Sequence, residues 1–229
     1  MNQNSFIPTH NTRDADRQLS LLLSRPVTEV PGLAVFYGPP GLGKTTWALH
    51  TAAAHNNYFY IRLKTADTTK AFLIRLLAVL TNGNYRLRDK TNISTIYEEI
   101  EDILLANPNY VIFIDEVDIA FERSYRVLKL LRDLADITTA TYVLIGMESL
   151  RTKIKNYSNH YFDRCYFNYE FSPATLEETK SLIERTLGIS ASDTLSRRVW
   201  QNSRGTLRKT MKIISEMEIA IREDKDESK

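Results

Sequence analysis

Short apolar runs alternate along the first 171 residues with segments whose apolar positions recur every three or four residues. The runs predict strands at 33–37, 58–63, 110–114, 141–145 and 164–171. The periodic segments predict helices at 13–24, 45–55, 69–80, 93–106 and 121–136, with a further helix after residue 145. Strands that alternate with helices predict a mainly parallel sheet covered by helices on both faces, which is an α/β fold.

After residue 171 the alternation stops, and the sequence predicts three consecutive helices at 173–187, 191–202 and 206–222. This change places a domain boundary near residue 172. We therefore predict an N-terminal segment with a short helix (1–30), an α/β domain (31–171), a small helical domain (172–222) and a charged tail (223–229).

Composition narrows the class of protein. Apolar residues make up 43% of the chain, which is enough for a packed core, and a single cysteine excludes an internal disulfide framework or a cysteine-rich zinc site. The apolar runs are far shorter than the roughly 18 residues of a membrane helix, and the N-terminus lacks the layout of a signal peptide. We expect a soluble, cytoplasmic protein without a membrane partner.

A glycine-rich loop follows the first predicted strand and matches the phosphate-binding pattern G-x-x-x-x-G-K-[ST]. Glycines let backbone N–H groups surround phosphate oxygens, and the helix that follows directs its positive end at the same phosphates. Lys44 can reach the β and γ phosphates, and the Thr45 hydroxyl can ligate Mg²⁺. The pattern predicts binding of ATP with Mg²⁺ through Gly38, Pro39, Pro40, Gly41, Leu42, Gly43, Lys44, Thr45 and Thr46.

Two acids end the most strand-like run of the chain, and ligands of open parallel sheets bind at the carboxyl ends of strands. Asp115 is therefore the candidate metal-holding carboxylate, beside Thr45. Glu116, the next residue, is the candidate that polarises the attacking water. We interpret Asp118, the next acid along the chain, as a secondary contact or a surface residue.

These motifs together resemble the AAA+ ATPase family over residues 19–222. The resemblance implies a P-loop NTPase sheet followed by a helical lid, and hydrolysis of ATP to ADP and phosphate. It also implies two arginines at the site. The segment Phe162–Cys165 resembles the S-R-C box of clamp loaders, with Asp163 in place of serine. Arg164 is therefore the candidate that acts on a neighbouring subunit, with Arg151 as the alternative. Gly205–Arg208 matches the G-x-x-R pattern, so Arg208 is the candidate that acts within its own subunit.

One position departs from the family pattern, because no asparagine ends the fourth strand. In the family this residue orients the attacking water, so the resemblance implies slow hydrolysis here. Glu148 or Ser149 is a possible substitute.

The turn at 146–150, the small three-helix lid and the short chain resemble a subgroup, the target-selection ATPases of DNA transposition (the phage Mu B protein and TnsC group). This resemblance implies a ring or helical filament of the protein on duplex DNA, in a bacterial, phage or mobile-element setting. It further implies recruitment or activation of a transposase and disassembly when ATP is hydrolysed.

In that subgroup the loops after the second strand contact DNA, and the basic segment 62–65 lies at the matching place here. Residues 85–90 form a second basic segment, which also contains a tyrosine. No base-reading element is evident, so we expect contacts to backbone phosphates without sequence preference. The net charge of only +2 predicts weak binding by a monomer and useful binding after assembly. The candidate DNA contacts are Arg62, Lys64, Thr65, Arg86, Arg88 and Lys90.

Two other functions fit the same motifs. One is a loader of a replicative helicase or a sliding clamp, which is also an AAA+ ATPase of DNA replication. The other is a nucleotide-controlled switch of protein assembly in which DNA plays no part.

Overall fold

The computed structural model describes residues 6–85, 91–123 and 125–227. Within these residues the strands are β1 (Leu33–Tyr37), β2 (Tyr58–Arg62), β3 (Val111–Asp115), β4 (Thr141–Gly146) and β5 (Cys165–Glu170). The helices are α1 (His10–Leu23), α2 (Lys44–Ala53), α3 (Thr69–Leu80), α4 (Ile93–Ala106), α5 (Asp118–Arg123), α6 (Arg126–Ile137), α7 (Leu150–Tyr157), α8 (Asn159–Arg164), α9 (Leu176–Leu187), α10 (Asp193–Ser203) and α11 (Leu207–Glu227).

The strands form one parallel sheet in the order β2-β3-β4-β1-β5, with helices in the intervening segments. The predicted α/β fold is therefore confirmed. Because the strands run in one direction, their carboxyl ends lie at one edge of the sheet. At that edge Arg62 at the end of β2 is in register with Asp115 at the end of β3.

Helix α2 is anchored on the sheet by aromatic packing. The Trp47 ring stacks on Phe36 at 5.0 Å between centroids and meets Phe113 edge-on at 5.4 Å. Its indole Nε1 donates a hydrogen bond to Asp16 Oδ1 at 2.7 Å. Every residue of β3 is buried, which agrees with its unbroken apolar run. This packing fixes the first turn of α2 near the carboxyl end of β3.

Two predicted helices are each divided in two. The segment predicted as one helix at 121–136 contains α5 and α6, and α5 begins earlier, at Asp118. The helix predicted after β4 ends at Tyr157, and α8 begins at Asn159. Ser158 between them is extended (φ −165°, ψ 118°), and its hydroxyl caps α8 by accepting the N–H of Tyr161 at 3.2 Å.

The chain divides into two compact units. The larger contains residues 15–38 and 44–170, and its core lies between the sheet and its helices. The smaller contains the described residues up to Asp14, residues 39–43, and those from Phe171 onward. The domain limits predicted from the sequence stay predictions. A domain is defined by folding on its own, which is a different property from forming a compact unit.

In the smaller unit, α9 to α11 are the three helices predicted after residue 171, and they pack around Ile183, Val199 and Ile214. Helix α11 continues into the predicted charged tail as far as Glu227. Within the described residues, no helix is both long and apolar enough to cross a lipid bilayer.

Candidate nucleotide-binding site

The glycines of the phosphate-binding pattern have backbone angles that other residues rarely adopt. Gly38, Gly41 and Gly43 have φ values of 148°, 79° and 95°. A Cβ on Gly41 would lie 2.9 Å from Thr206 Cγ2 and 3.0 Å from Arg208 Cβ, all within the smaller unit. The loop therefore needs glycine at Gly41 for two reasons, its positive φ and the close approach of α11.

Lys44 begins α2 and is only 8% exposed. Its ammonium Nζ donates a hydrogen bond to the carbonyl oxygen of Gly38 at 2.6 Å, within the larger unit. This contact closes the loop from one end of the motif to the other. A buried ammonium at the start of a helix favours a bound anion, because its charge adds to the positive end of the helix.

Asp115 at the end of β3 is 3% exposed, and both of its carboxylate oxygens accept hydrogen bonds. Oδ2 accepts the Thr45 hydroxyl at 2.7 Å and the Tyr60 hydroxyl at 2.8 Å. Oδ1 accepts the backbone N–H of Glu116 at 2.9 Å. The structure thus brings together the two residues that the sequence nominated for Mg²⁺, Thr45 and Asp115. Tyr60 joins them, although none of the sequence motifs includes it.

The donor set fits Mg²⁺ held together with a nucleotide. Within the described residues no cluster of three or more acidic, histidine or cysteine side chains could hold a metal alone. Mg²⁺ at phosphate sites is bound by one or two protein oxygens, with waters and phosphate oxygens completing the shell. The Thr45 hydroxyl and the Asp115 carboxylate are such a pair.

Glu116 follows directly and has a positive φ of 58°, one of the few such angles at a non-glycine residue in the described chain. Its Oε1 accepts a hydrogen bond from Arg62 Nη2 at 2.8 Å. The candidate general base is therefore held by a residue that the sequence nominated for DNA. Arg62 is still 55% exposed, so its guanidinium remains open to solvent while it binds Glu116.

Asp118 is buried rather than superficial, at 6% exposure. Its Oδ2 accepts the backbone N–H of Met147 at 2.6 Å, and its Oδ1 lies 3.1 Å from Lys153 Nζ. The surface alternative for Asp118 is therefore wrong. The carboxylate ties the segment after β3 to the turn after β4, and a Cβ on Gly146 would overlap it.

The two possible substitutes for the missing asparagine lie in that turn. Glu148 is exposed, and Ser149 precedes α7 without capping it through its side chain. Neither makes a hydrogen bond to the Asp115–Glu116 segment within the described residues. Their proposed role in orienting water stays a prediction.

The two candidate arginines differ in their surroundings. Arg208 lies in the first turn of α11, and its backbone N–H donates to the carbonyl of Gly41 at 3.1 Å within the smaller unit. Arg164 ends α8 and binds Asp136, with its Nε at 2.8 and 2.9 Å from the two carboxylate oxygens. The alternative, Arg151, lies 5.4 Å from the centre of the Phe162 ring.

The candidate DNA contacts are only partly described. Arg86, Arg88 and Lys90 lie outside the described residues. Lys64 and Thr65 are exposed in the loop after β2. The acid of that loop, Asp67, is paired with Arg75 and also accepts the backbone N–H of Lys64 at 2.9 Å. Its charge is therefore partly neutralised within the protein.

A second polar cluster lies in the smaller unit and was not indicated by the sequence. His10 Nδ1 lies 2.8 Å from Glu178 Oε2, and His10 Nε2 lies 2.8 Å from Ser172 Oγ. Glu178 also accepts the backbone N–H of Thr175 at 3.0 Å, which completes the capping box of α9. The cluster joins the N-terminal segment to α9. The capping pattern T-x-x-E is readable in the sequence, whereas its contact with His10 is not.

Solved structures support the fold. Matches were found to the Aeropyrum pernix ORC2 protein (ADPNP–ADP complexes; 14% identity, TM-score 0.69, covering 100% of this chain and 67% of that one) and the Aeropyrum pernix ORC1 protein in complex with DNA (19%, 0.66, 95% and 62%). A third is the Thermotoga maritima RuvB Holliday junction branch migration motor (21%, 0.54, 89% and 60%). The chain thus spans about two thirds of the length of these proteins.

A sequence comparison with curated proteins gave no significant match. The family model described as "AAA domain" matches residues 27–154, which is more than half of the chain. The matched segment contains β1 to β4, the glycine-rich loop and the two acids Asp115 and Glu116 at the end of β3. The resemblance to AAA+ ATPases is thereby confirmed at the level of the family, and the chain belongs to the AAA domain family.

Proposed function

We propose that this chain is a Mg²⁺-dependent ATPase whose nucleotide state controls its assembly on duplex DNA. The observation that carries the proposal is the hydrogen bond of 2.7 Å between Thr45 and Asp115, beside the buried Lys44. A hydroxyl, a carboxylate and an ammonium so placed are suited to a nucleotide phosphate and its cation. Membership of the AAA domain family supports the same chemistry.

Different residues of the glycine-rich loop would make different contacts with ATP. Backbone N–H groups from Gly41 to Thr46 donate to phosphate oxygens. Pro39 and Pro40 have no N–H and therefore only shape the loop. The Lys44 ammonium neutralises phosphate charge. Bound Mg²⁺ supplies further charge neutralisation, and Thr45 and Asp115 are the protein groups that hold it.

Hydrolysis would use Glu116 as the group that accepts a proton from water. Among the described residues Arg62 binds only its Oε1, and Oε2 makes no hydrogen bond to the protein. With no asparagine after β4 to orient that water, we expect turnover to be slow.

The arginines would complete the site in two ways. Arg208 lies beside the glycine-rich loop of its own chain and would contact phosphate there. Arg164 would act on a neighbouring subunit, in a ring or filament, and must exchange Asp136 for phosphate to do so. ATP at a subunit boundary would then hold the interface together, and loss of the γ-phosphate would remove charge-assisted hydrogen bonds from it.

The DNA surface would be the exposed basic groups after β2 together with the basic loop at 86–90. Lys64 and Thr65 are exposed, and the neighbouring Asp67 is engaged by Arg75. One solved protein of the same fold is in complex with DNA. Such contacts to phosphates would be independent of sequence.

Recruitment of a transposase is a separate, finer proposal. It rests on the turn after β4, the three-helix lid and the short chain, which resemble the target-selection ATPases of transposition. If a transposase is the partner, ATP-bound assemblies should bind it and ADP-bound protein should not.

The ATPase proposal is tested by measuring phosphate release from Glu116→Gln. We expect nucleotide affinity to be kept and turnover to fall by about 10²- to 10⁴-fold, the usual contribution of a general base. Glu122→Gln is the matched control, because Glu122 is an exposed glutamate of the nearby helix α5. Unchanged turnover in Glu116→Gln would mean that another group accepts the proton.

A further inference from the structure

The hydroxyl of Tyr60 lies against the candidate metal-holding carboxylate. Tyr60 is on β2 and Asp115 ends the neighbouring strand, β3. Arg62 is in register with Asp115, and Tyr60 precedes Arg62 by two residues on the same face of β2. A tyrosine is long enough to reach up this face, and its hydroxyl donates to Asp115 Oδ2 at 2.8 Å.

Two side-chain hydroxyls donate hydrogen bonds to Asp115 Oδ2. Oδ2 accepts the Thr45 hydroxyl at 2.7 Å and the Tyr60 hydroxyl at 2.8 Å, while Oδ1 accepts the Glu116 N–H. Three hydrogen bonds fix the plane of the carboxylate. Without the Tyr60 hydroxyl the carboxylate would retain one hydrogen bond on each oxygen, and its orientation would be held less firmly.

The neighbouring Tyr58 is a matched comparison for the hydroxyl of Tyr60. Tyr58 lies two residues earlier on the same face, and its ring packs on His55 and Phe113 at 4.2 and 6.1 Å between centroids. Among the described residues its hydroxyl makes no hydrogen bond. The two tyrosines therefore share a strand face and differ in the contact to Asp115.

Tyr60 is also suited to remain a donor. The hydroxyl of a tyrosine has an ordinary pKa of about 10. The phenol thus keeps its proton throughout the physiological pH range. A neutral donor orients the carboxylate without adding a charge that would repel a cation.

We propose that Tyr60 is a positioning residue that holds Asp115 in the orientation required to bind the Mg²⁺ of a Mg²⁺–nucleotide complex. The inference rests on the proposed function, because it assumes that nucleotide and cation bind here. In this arrangement the Thr45 oxygen can face the cation while its hydrogen stays on Asp115. Groups that orient metal-binding side chains in this way contribute strongly to metal affinity.

The test compares Tyr60→Phe with Tyr58→Phe, since each removes one hydroxyl from the same face of β2. Mn²⁺ serves as the probe, and its binding is measured by electron paramagnetic resonance with a saturating non-hydrolysable ATP analogue. Nucleotide affinity is measured separately in EDTA. We expect Tyr60→Phe to lose about 10- to 100-fold in Mn²⁺ affinity, with metal-free nucleotide affinity and the midpoint of thermal unfolding unchanged. Tyr58→Phe should match the unchanged protein.

Two results would overturn the inference alone, given that the unchanged chain binds nucleotide and Mn²⁺. One is Tyr60→Phe with unaltered Mn²⁺ affinity. The other is an equal loss in Tyr58→Phe, which would indicate a general effect on the strand. If the unchanged chain bound no nucleotide, the proposed function would fail and the inference with it.

Discussion

At the scale of residues, the site depends on contacts that cross between neighbouring strands. The motif residues Lys44, Thr45, Asp115 and Glu116 are readable in the sequence, because spacing within a loop and a strand end predicts them. Tyr60 is not, since its role follows from the register of β2 against β3. A tyrosine that alternates on a strand looks the same in sequence whether its hydroxyl is used or not.

A substitution of Arg62 can distinguish its two proposed roles, which are to hold Glu116 and to contact DNA. Arg62→Ala frees the Glu116 carboxylate, so we expect phosphate release to rise about 1.5- to 5-fold, since a partly exposed ion pair contributes about 0.2–1 kcal/mol. The same change should weaken DNA binding, because one cation is removed. Steady-state phosphate release and fluorescence anisotropy of a labelled duplex measure the two effects.

Lys155→Ala is the control for removal of one positive charge, because Lys155 is exposed on α7 and has no salt bridge among the described residues. It should alter neither quantity. If Arg62→Ala instead lowered phosphate release, Arg62 would assist Glu116 rather than restrain it.

At the scale of elements, apolar patterning predicts the strands well because β3 and β4 are buried along their whole length and most of their residues are apolar. The helix divisions are harder to predict. The apolar residues keep their helical spacing across Ser158. That residue is nevertheless extended and caps the next helix with its side chain. A serine within an apolar pattern does not reveal whether it continues a helix or begins a new one.

The start of α9 carries a prediction about pH. Burial pushes the pKa of Glu178 upward, but hydrogen bonds from the Thr175 N–H and from His10 outweigh it and leave that pKa below its ordinary value. Ionised Glu178 therefore stabilises the folded state above the unfolded pKa of about 4.3, and this contribution is lost as pH falls through the folded pKa.

Glu178→Gln should accordingly lower the free energy of unfolding by about 1 kcal/mol at pH 7, the size of a helix-capping interaction. The difference from the unchanged protein should shrink below about pH 4. Urea unfolding at several pH values measures both. Glu177→Gln is the control, because its carboxylate makes no hydrogen bond among the described residues. A difference that grew at low pH would contradict the assignment.

At the scale of the whole molecule, a net charge of +2 gives little reason to expect DNA binding by a single chain. Several acids are engaged internally, as Asp67 is with Arg75 and Asp136 is with Arg164. An assembly would repeat the basic strip after β2 on every subunit. Affinity for DNA should therefore depend on assembly. The composition of one chain does not reveal the charge of the assembled surface.

The salt dependence of DNA binding tests this surface. Combined Lys64→Ala and Arg86→Ala should weaken binding and reduce the slope of log affinity against log salt by about 0.9 for each DNA phosphate that the protein no longer neutralises. Lys129→Ala is the control, since Lys129 is exposed on α6, away from the basic loops in sequence. An unchanged slope in the double variant would show that DNA binds elsewhere or not at all.

The most direct test of the account is electron microscopy of the protein with duplex DNA and a non-hydrolysable ATP analogue, each omitted in turn. We predict filaments or rings on DNA only when both are present, and their disappearance in Lys44→Ala. Assembly with the analogue alone would contradict the role of DNA and favour a nucleotide-controlled switch. If a replicative helicase is added and small closed rings form only on it, a loader would be favoured. The absence of any nucleotide-dependent assembly would contradict the central claim.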